Sequence, residues 1–288
     1  MTVCLAHATF RQYNGKELLE GNMDDRKKFL EGVRHFVLDM DGTFYLGDSI
    51  LSGSLGFLEK VKETGRDFIF FTNNSSKNGK VYIEKLKKMN CFITEKEIMT
   101  SGDVTIEYLK CNYPGKKVYL LGTPMLEESF VSAGIELSSS DDADVAVLGF
   151  DQTLTYGKLV NICNMIREGK PYIATHKDIN CPVEGGFIPD VGSFCALIAL
   201  STGGAEPRVL GKPNRETVDM VIERTGWKRK EIAFVGDRIY TDVATGVNNG
   251  AKGILVLSGE ADMNTVRESS VKPDAIFRDL GEIGELLS

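Results

Sequence analysis

The amino-acid sequence predicts an α/β fold: a doubly wound parallel-sheet core with a smaller α/β unit inserted in it. Three observations carry that expectation. Apolar runs of three to five residues alternate with segments of helical period, the pattern of strand–helix–strand units. Several of these runs stop abruptly in small polar or acidic residues, at the sheet edge where open α/β folds bind ligands. The alternation pauses at Tyr113-Pro114-Gly115-Lys116-Lys117 and then restarts. Residues 1–114 and 207–288 are therefore read as the core, and 115–206 as the insert.

Taken in order, residues 1–34 precede the first clear strand. Asn22-Met23-Asp24-Asp25 ahead of Lys27, Phe29 and Leu30 caps a short helix, on a surface arm or a lid over one sheet edge. Phe36-Val37-Leu38 reads as a strand buried on both faces, running into Asp39-Met40-Asp41-Gly42-Thr43. Residues 45–53 make a tight polar excursion, and Leu55, Leu58 and Val61 give an amphipathic helix stopped near Gly65. A second strand, Asp67-Phe68-Ile69-Phe70-Phe71, ends in Thr72-Asn73-Asn74-Ser75-Ser76. A helix with Val81, Ile83, Leu86 and Met89 follows, then a short extended piece at 98–101 and a helix to about Lys110.

In the insert, strands are expected at 118–121, 145–148 and 172–175, with helices at 124–133 and 156–168. Residues 177–192 read as a long loop rich in proline and glycine, and 193–201 as a helix. Residues 208–214 return the chain to the core. A helix over 216–225 starts just after Pro213, where proline is tolerated. Strands at 232–235, 253–257 and 275–277 complete the sheet, the first ending in Gly236-Asp237.

A net charge of -7 argues against binding nucleic acid or an anionic membrane, but not against a phosphorylated small molecule, because local charge can outweigh the global sign. No apolar run approaches membrane-spanning length, and the first 22 residues lack the charged-then-apolar pattern of a secretory signal. The six scattered cysteines suit reduced thiols in a cytoplasm better than disulfides or zinc. His7, His35 and His176 do not cluster, which disfavours a histidine metal site or a Ser-His-Asp triad.

Two carboxylates one residue apart at a strand end face one pocket, and their repulsion calls for a cation or a shared proton. Asp39/Asp41, Thr72/Asn73/Asn74 and Asp237 close three separate apolar runs, and Lys212 stands alone before a helix. Asp39-x-Asp41-Gly42-Thr43, the run into Thr72-Asn73-Asn74, Gly211-Lys212-Pro213 and Gly236-Asp237-x4-Asp242 resemble the four motifs of haloacid-dehalogenase-superfamily phosphatases, in that order. The placement of the insert resembles the NagD-like branch, which carries a large α/β cap there.

The resemblance implies a Mg²⁺-dependent phosphatase for small phosphorylated metabolites such as sugar phosphates or nucleotides. Asp39 is then the nucleophile that becomes an aspartyl-phosphate, and Asp41 the general acid and base. Thr72, Asn73, Asn74 and Lys212 bind phosphate. The metal is held by Asp39, the Asp41 carbonyl and Asp237, with Asp242 holding a metal water or Lys212. The resemblance also implies a homodimer through the cap.

In the cap loop, family members often have Asn where His176 stands and Gly where Asp190 stands. His176 is read as a buried or surface histidine rather than a catalytic one; Lys177 and Asp178 are candidates for recognising a sugar or nucleotide. Two other functions compete: a phosphotransferase or mutase, and a phospho-accepting receiver-type module. A receiver, however, needs only about 120 residues and no general base.

Overall fold

The computed structural model describes residues 23–183 and 185–288. The expected arm therefore lies, up to Asn22, outside the described residues. Its remainder is α1 (Met23–Glu31). Leu30 is buried in the core, and the Arg26 guanidinium sits 4.4 Å over the ring of Phe277, on the strand at one sheet edge.

The core follows as β1 (His35–Leu38), a small antiparallel hairpin of β2 (Tyr45–Leu46) and β3 (Ser49–Ile50), α2 (Ser54–Glu63), β4 (Asp67–Thr72), α3 (Gly79–Lys88), β5 (Ile98–Thr100) and α4 (Ser101–Asn112). The smaller unit contributes β6 (Val118–Leu121), α5 (Pro124–Ser132), β7 (Val145–Leu148), α6 (Tyr156–Arg167), β8 (Tyr172–Ala174), β9 (Asn180–Val183), β10 (Gly186–Pro189), α7 (Val191–Ser201) and β11 (Arg208–Val209). The chain ends with α8 (Arg215–Thr225), β12 (Ile232–Gly236), α9 (Ala244–Asn248), β13 (Lys252–Val256), α10 (Met263–Glu268), β14 (Ala275–Phe277) and α11 (Leu280–Leu286).

Six strands pair in parallel in the order β14-β13-β12-β1-β4-β5. From β1 the chain first moves outward through β4 and β5, then returns to the other side through β12, β13 and β14. The carboxyl end of β1 is thus a topological switch point, where a crevice opens for a ligand. The alternating side chains of β1 decide which layer goes where. Phe36 and Leu38 face a core shared with Phe57 and Val61 of α2 and Ile283 of α11. Val37 faces the opposite way, into a core with Val104 and Leu109 of α4 and Val218 and Val221 of α8.

That second core continues through Leu120, Val147 and Ile173 of the smaller sheet, whose far face is covered by α6 and α7. The smaller sheet is also parallel, ordered β11-β8-β7-β6. Helix starts are capped as their sequences suggest. Thr123 accepts from Leu126 N–H with Pro124 next in line, and Thr100 and Asp103 form a capping box at α4.

Two expectations need correcting. Residues 177–192 are not an open loop: β9 and β10 form an antiparallel hairpin there, turning at Gly185 with φ +81°. Pro182 argued against a strand in the sequence, but in a two-stranded ribbon it sits at an edge, where its missing N–H costs little. Helix α7 consequently starts at Val191, capped by Asp190, not at Ser193. Residues Arg208 and Val209 do not rejoin the core; they pair with Ile173 and Ala174 as the edge strand of the smaller sheet. The passage between units comes after them.

Candidate active site

Asp39 follows directly on β1, with its N–H bonded to the Val235 carbonyl of β12 at 2.8 Å. It therefore stands at the switch point. Lys212 reaches it from the chain leaving the smaller sheet. Its Nζ donates to Asp39 Oδ1 and to Asp242 Oδ1, both at 2.6 Å. Lys212 and Asp242 are buried, so this is a desolvated triad of one ammonium and two carboxylates. Asp39, Asp237 and Asp242 each bring a carboxylate oxygen to within 4.8 Å of the others.

Burial lowers the proton affinity of Lys212, but Asp242 and Asp39 outweigh it and hold the ammonium above its usual range. Burial pushes the Asp39 carboxyl up; Lys212 pulls against this, and Asp242 and Asp237 push further up. Asp237 is also raised, by burial and then by Asp242, against a bond from Glu260 N–H. Three acids thus converge on one ammonium, a cluster short of positive charge.

Close backbone approach makes this possible. A Cβ on Gly236 would lie 2.2 Å from the Asp242 carboxyl carbon, and one on Gly42 (φ +81°) 2.5 Å from Asp237 Oδ2. Asp237 is braced on both oxygens: Thr43 Oγ1 donates to Oδ1 at 3.2 Å and Glu260 N–H to Oδ2 at 2.8 Å. The remaining oxygen of Asp242 accepts from Arg238 N–H at 3.2 Å. Asp41 lies two residues past Asp39, exposed to the cleft. Burial of its carboxyl raises its affinity for a proton, and the Lys85 and Arg238 charges oppose this.

The Thr72-Asn73-Asn74 turn lies beside these groups. Thr72 Oγ1 accepts from Asn74 N–H at 3.1 Å. The Asn73 carboxamide is turned to the chain behind it: Lys212 N–H donates to Oδ1 at 2.9 Å, and Nδ2 donates to the Lys212 carbonyl at 3.1 Å and to Asp178 at 3.2 Å. Asn74 Oδ1 accepts from Ser76 N–H at 2.9 Å and Ser76 Oγ at 2.7 Å, closing the turn. The cleft around these residues encloses about 260 Å³ and brings Asp39, Asp41, Thr72, Asn73, Asn74 and Lys212 to one wall. Its other wall includes β9, through Asn180, Cys181, Pro182 and Val183, with Asp178 and Asp190 on either side of the hairpin.

Sequence reasoning missed Arg238, Lys77 and Lys85, which also line the cleft. Lone basic residues carry no spacing signal, although Arg238 stands next to Asp237 and was within reach. Of the two placements left open for His176, buried or on the surface, the structure has it buried. Its Nε2 donates to Asp190 Oδ1 at 3.0 Å, and its Nδ1 lies 3.0 Å from Thr175 Oγ1. Burial lowers its pKa, but the bond and charge of Asp190 outweigh that and leave it raised. The two departures from the family pattern, His176 and Asp190, are therefore one contact. Lys177 points away, pairing with Glu206 at 2.6 Å.

The chain is similar to several known proteins. The family model described as haloacid dehalogenase-like hydrolase matches residues 36–136, and a related model matches residues 209–283. The chain is 33% identical over 258 residues to an acid sugar phosphatase of Staphylococcus aureus strain MRSA252, covering 89% of this chain and 99% of that one. A 4-nitrophenylphosphatase from Thermotoga maritima superposes with a TM-score of 0.86 at 44% identity, over 90% of this chain and 99% of that one. NagD from E. coli K-12, at 24% identity, shares the fold with a TM-score of 0.81, over 87% of this chain and 98% of that one.

The chain belongs to the haloacid dehalogenase-like hydrolases. Within them it is a phosphoric monoester hydrolase of the NagD-like kind. No described helix is long and apolar enough to cross a membrane.

Proposed function

We propose that the protein hydrolyses small phosphorylated metabolites of sugar-phosphate size, with Mg²⁺, through a phosphorylated Asp39. The observation that carries this reading is the Lys212 ammonium bonded at 2.6 Å to both Asp39 and Asp242, in the cleft that Asp41 also lines. The cleft of about 260 Å³ is at the small end for ligand sites, which favours a metabolite over a macromolecule. The name of the staphylococcal relative supports a sugar phosphate.

The donor set is all oxygen and rich in carboxylate, which suits a hard divalent ion. Asp39 and Asp237 would hold it with the Asp41 carbonyl. Asp242, whose Oδ1 holds the Lys212 ammonium at 2.6 Å, would orient that lysine rather than ligate. A bound Mg²⁺ supplies the positive charge that lets carboxylates and a phosphate dianion share the site.

Asp39 attacks phosphorus as the bond to the leaving oxygen breaks, and Asp41 delivers its proton to that oxygen. Asp41, now ionised, takes a proton from water as the water attacks the same phosphorus. Inorganic phosphate leaves and Asp39 is regenerated. Lys212, the Thr72 hydroxyl and the Asn73 N–H bind the phosphate oxygens, and Lys212 also holds Asp39 in line. The Asn74 side chain shapes their turn. Residues 115–209 serve as the cap over the leaving group.

Turnover of 4-nitrophenyl phosphate in Mg²⁺ tests the reading. Asp39→Asn should lower kcat by about 10³-fold or more, the scale of losing a nucleophile. Hydrolysis surviving that change would sink the proposed chemistry. Stable single phosphorylation would favour a receiver, and transfer to added alcohols in preference to water a transferase. The five described cysteines are all free, which fits a reducing cytoplasm. Leu197 and Leu200 stand exposed on α7, which supports a cap-to-cap homodimer; a light-scattering mass of one chain would rule that out.

A further inference from the structure

The wall of the cleft beside Asp41 carries two ammonium groups that the chemistry above does not use. Lys85 projects from α3. Its Nζ lies 4.0 Å over the ring of Tyr45. Tyr45 is the residue that bridges to Asp41, and its carbonyl accepts from Gly42 N–H at 2.8 Å. Of the cations acting on Asp41, Lys85 is the strongest, ahead of Arg238.

Its own carboxylate partner is poor. Asp48 is 4.0 Å away and its side chain is 98% exposed, so that pair is loose and screened. Burial accordingly leaves Lys85 below its usual range, with Asp41 and Asp48 opposing too weakly to restore it. Lys77 lines the same cleft just ahead of α3, acts on Lys85 as a like charge, and has no carboxylate within 4 Å among the described residues. The other cations of the cleft are spent: Lys212 on Asp39 and Asp242, and Arg238 on Glu260 at 2.9 Å.

We infer that Lys85, assisted by Lys77, binds a second anionic group on the substrate, so that the preferred substrates are phosphomonoesters whose leaving alcohol carries a carboxylate or another phosphate. The inference rests on the proposed hydrolysis, in which Asp41 gives its proton to the leaving oxygen. Whatever is attached to that oxygen then lies on the Asp41 side, and Lys85 flanks Asp41. An anion a few bonds beyond the ester oxygen meets an ammonium that is partly desolvated and poorly paired. A neutral polyol there leaves it as it is.

Matched substrates test this with Mg²⁺ present. 3-Phosphoglycerate against glycerol 3-phosphate reads a carboxylate, and fructose 1,6-bisphosphate against fructose 6-phosphate reads a second phosphate. The wild-type protein should favour the more anionic member of at least one pair in kcat/KM. Lys85→Gln should lower that preference by about tenfold, the size of one charge-assisted contact. Lys85→Arg should keep most of it, and Lys77→Gln should lower it by a smaller factor. The ratio cancels any effect on the chemistry common to both members.

A wild-type protein that hydrolyses all four without preference, or a preference untouched by Lys85→Gln, overturns the assignment while leaving the hydrolytic reading intact. Loss of preference in Lys85→Arg equal to that in Lys85→Gln overturns it too, since shape and not charge would then be at work. Failure to hydrolyse any of the four or 4-nitrophenyl phosphate strikes at the hydrolytic reading instead.

Discussion

Lys212 shows how one residue can hold a site together. It is a buried cation between two carboxylates, so deleting its charge leaves Asp39 and Asp242 facing each other unpaired. Lys212→Met should abolish turnover and lower unfolding stability by about 3–5 kcal/mol in the absence of divalent ions, the range for breaking a buried pair. Urea unfolding in a chelator measures it, and an unchanged midpoint would mean that the triad contributes nothing to the fold. The acids of this site were legible because Asp39-x-Asp41 and Gly236-Asp237-x4-Asp242 are contiguous in the chain. The work of Asn73 was not. Its carboxamide clamps the backbone of Lys212, 139 residues away, and no local pattern announces a partner at that separation. Lys85 was hidden for a related reason: an exposed-looking lysine on an amphipathic helix reads as a solvated face until the hairpin of β2 and β3 is laid beside it.

At the level of elements, β1 is both central in the sheet and the support of Asp39, the proposed nucleophile. Its first residue, His35, stacks on Trp227 with ring centroids 4.4 Å apart and planes 6° from parallel. Burial lowers the His35 pKa from 6.5, against the opposing pull of Asp67. The unfolded chain therefore binds the proton more readily, and the His35 contribution to stability is present above about pH 6.5 and is lost as pH falls towards the lowered folded value. His35→Phe keeps an aromatic ring but cannot titrate. Between pH 7.5 and 5.5 the wild type should lose more stability than this variant, by denaturant midpoints; equal losses would show that the ring does not sense the proton.

The strands of the large sheet were legible because burial on both faces gives unbroken apolar runs. The β9–β10 hairpin was not, because its strands are mostly exposed and its composition is that of a loop. Nor was the sheet joined by β11: two residues of edge strand carry no period.

For the molecule as a whole, the proposed metal site at the switch point should link folding to divalent ions. Three carboxylates meet one ammonium, so an ion that binds only the folded chain should stabilise it by about 2.7 kcal/mol at a hundredfold its dissociation constant. Mg²⁺ should accordingly raise the melting temperature of the wild type in a scanning calorimeter, and leave Asp237→Asn nearly unmoved. An equal rise in both would place the ion elsewhere. The edge strand of the smaller sheet, which is the proposed cap, has a consequence of its own. Leu210 N–H bonds to the Ala174 carbonyl and Gly211 N–H to the Thr175 carbonyl, so the chain stays stitched to the cap's sheet until the residue before Lys212. The lysine's tether is thus fastened to the roof while its ammonium grips the floor. Under the proposed reading, lifting the roof to admit a substrate would pull on that tether and strain the bond between the Lys212 ammonium and Asp39.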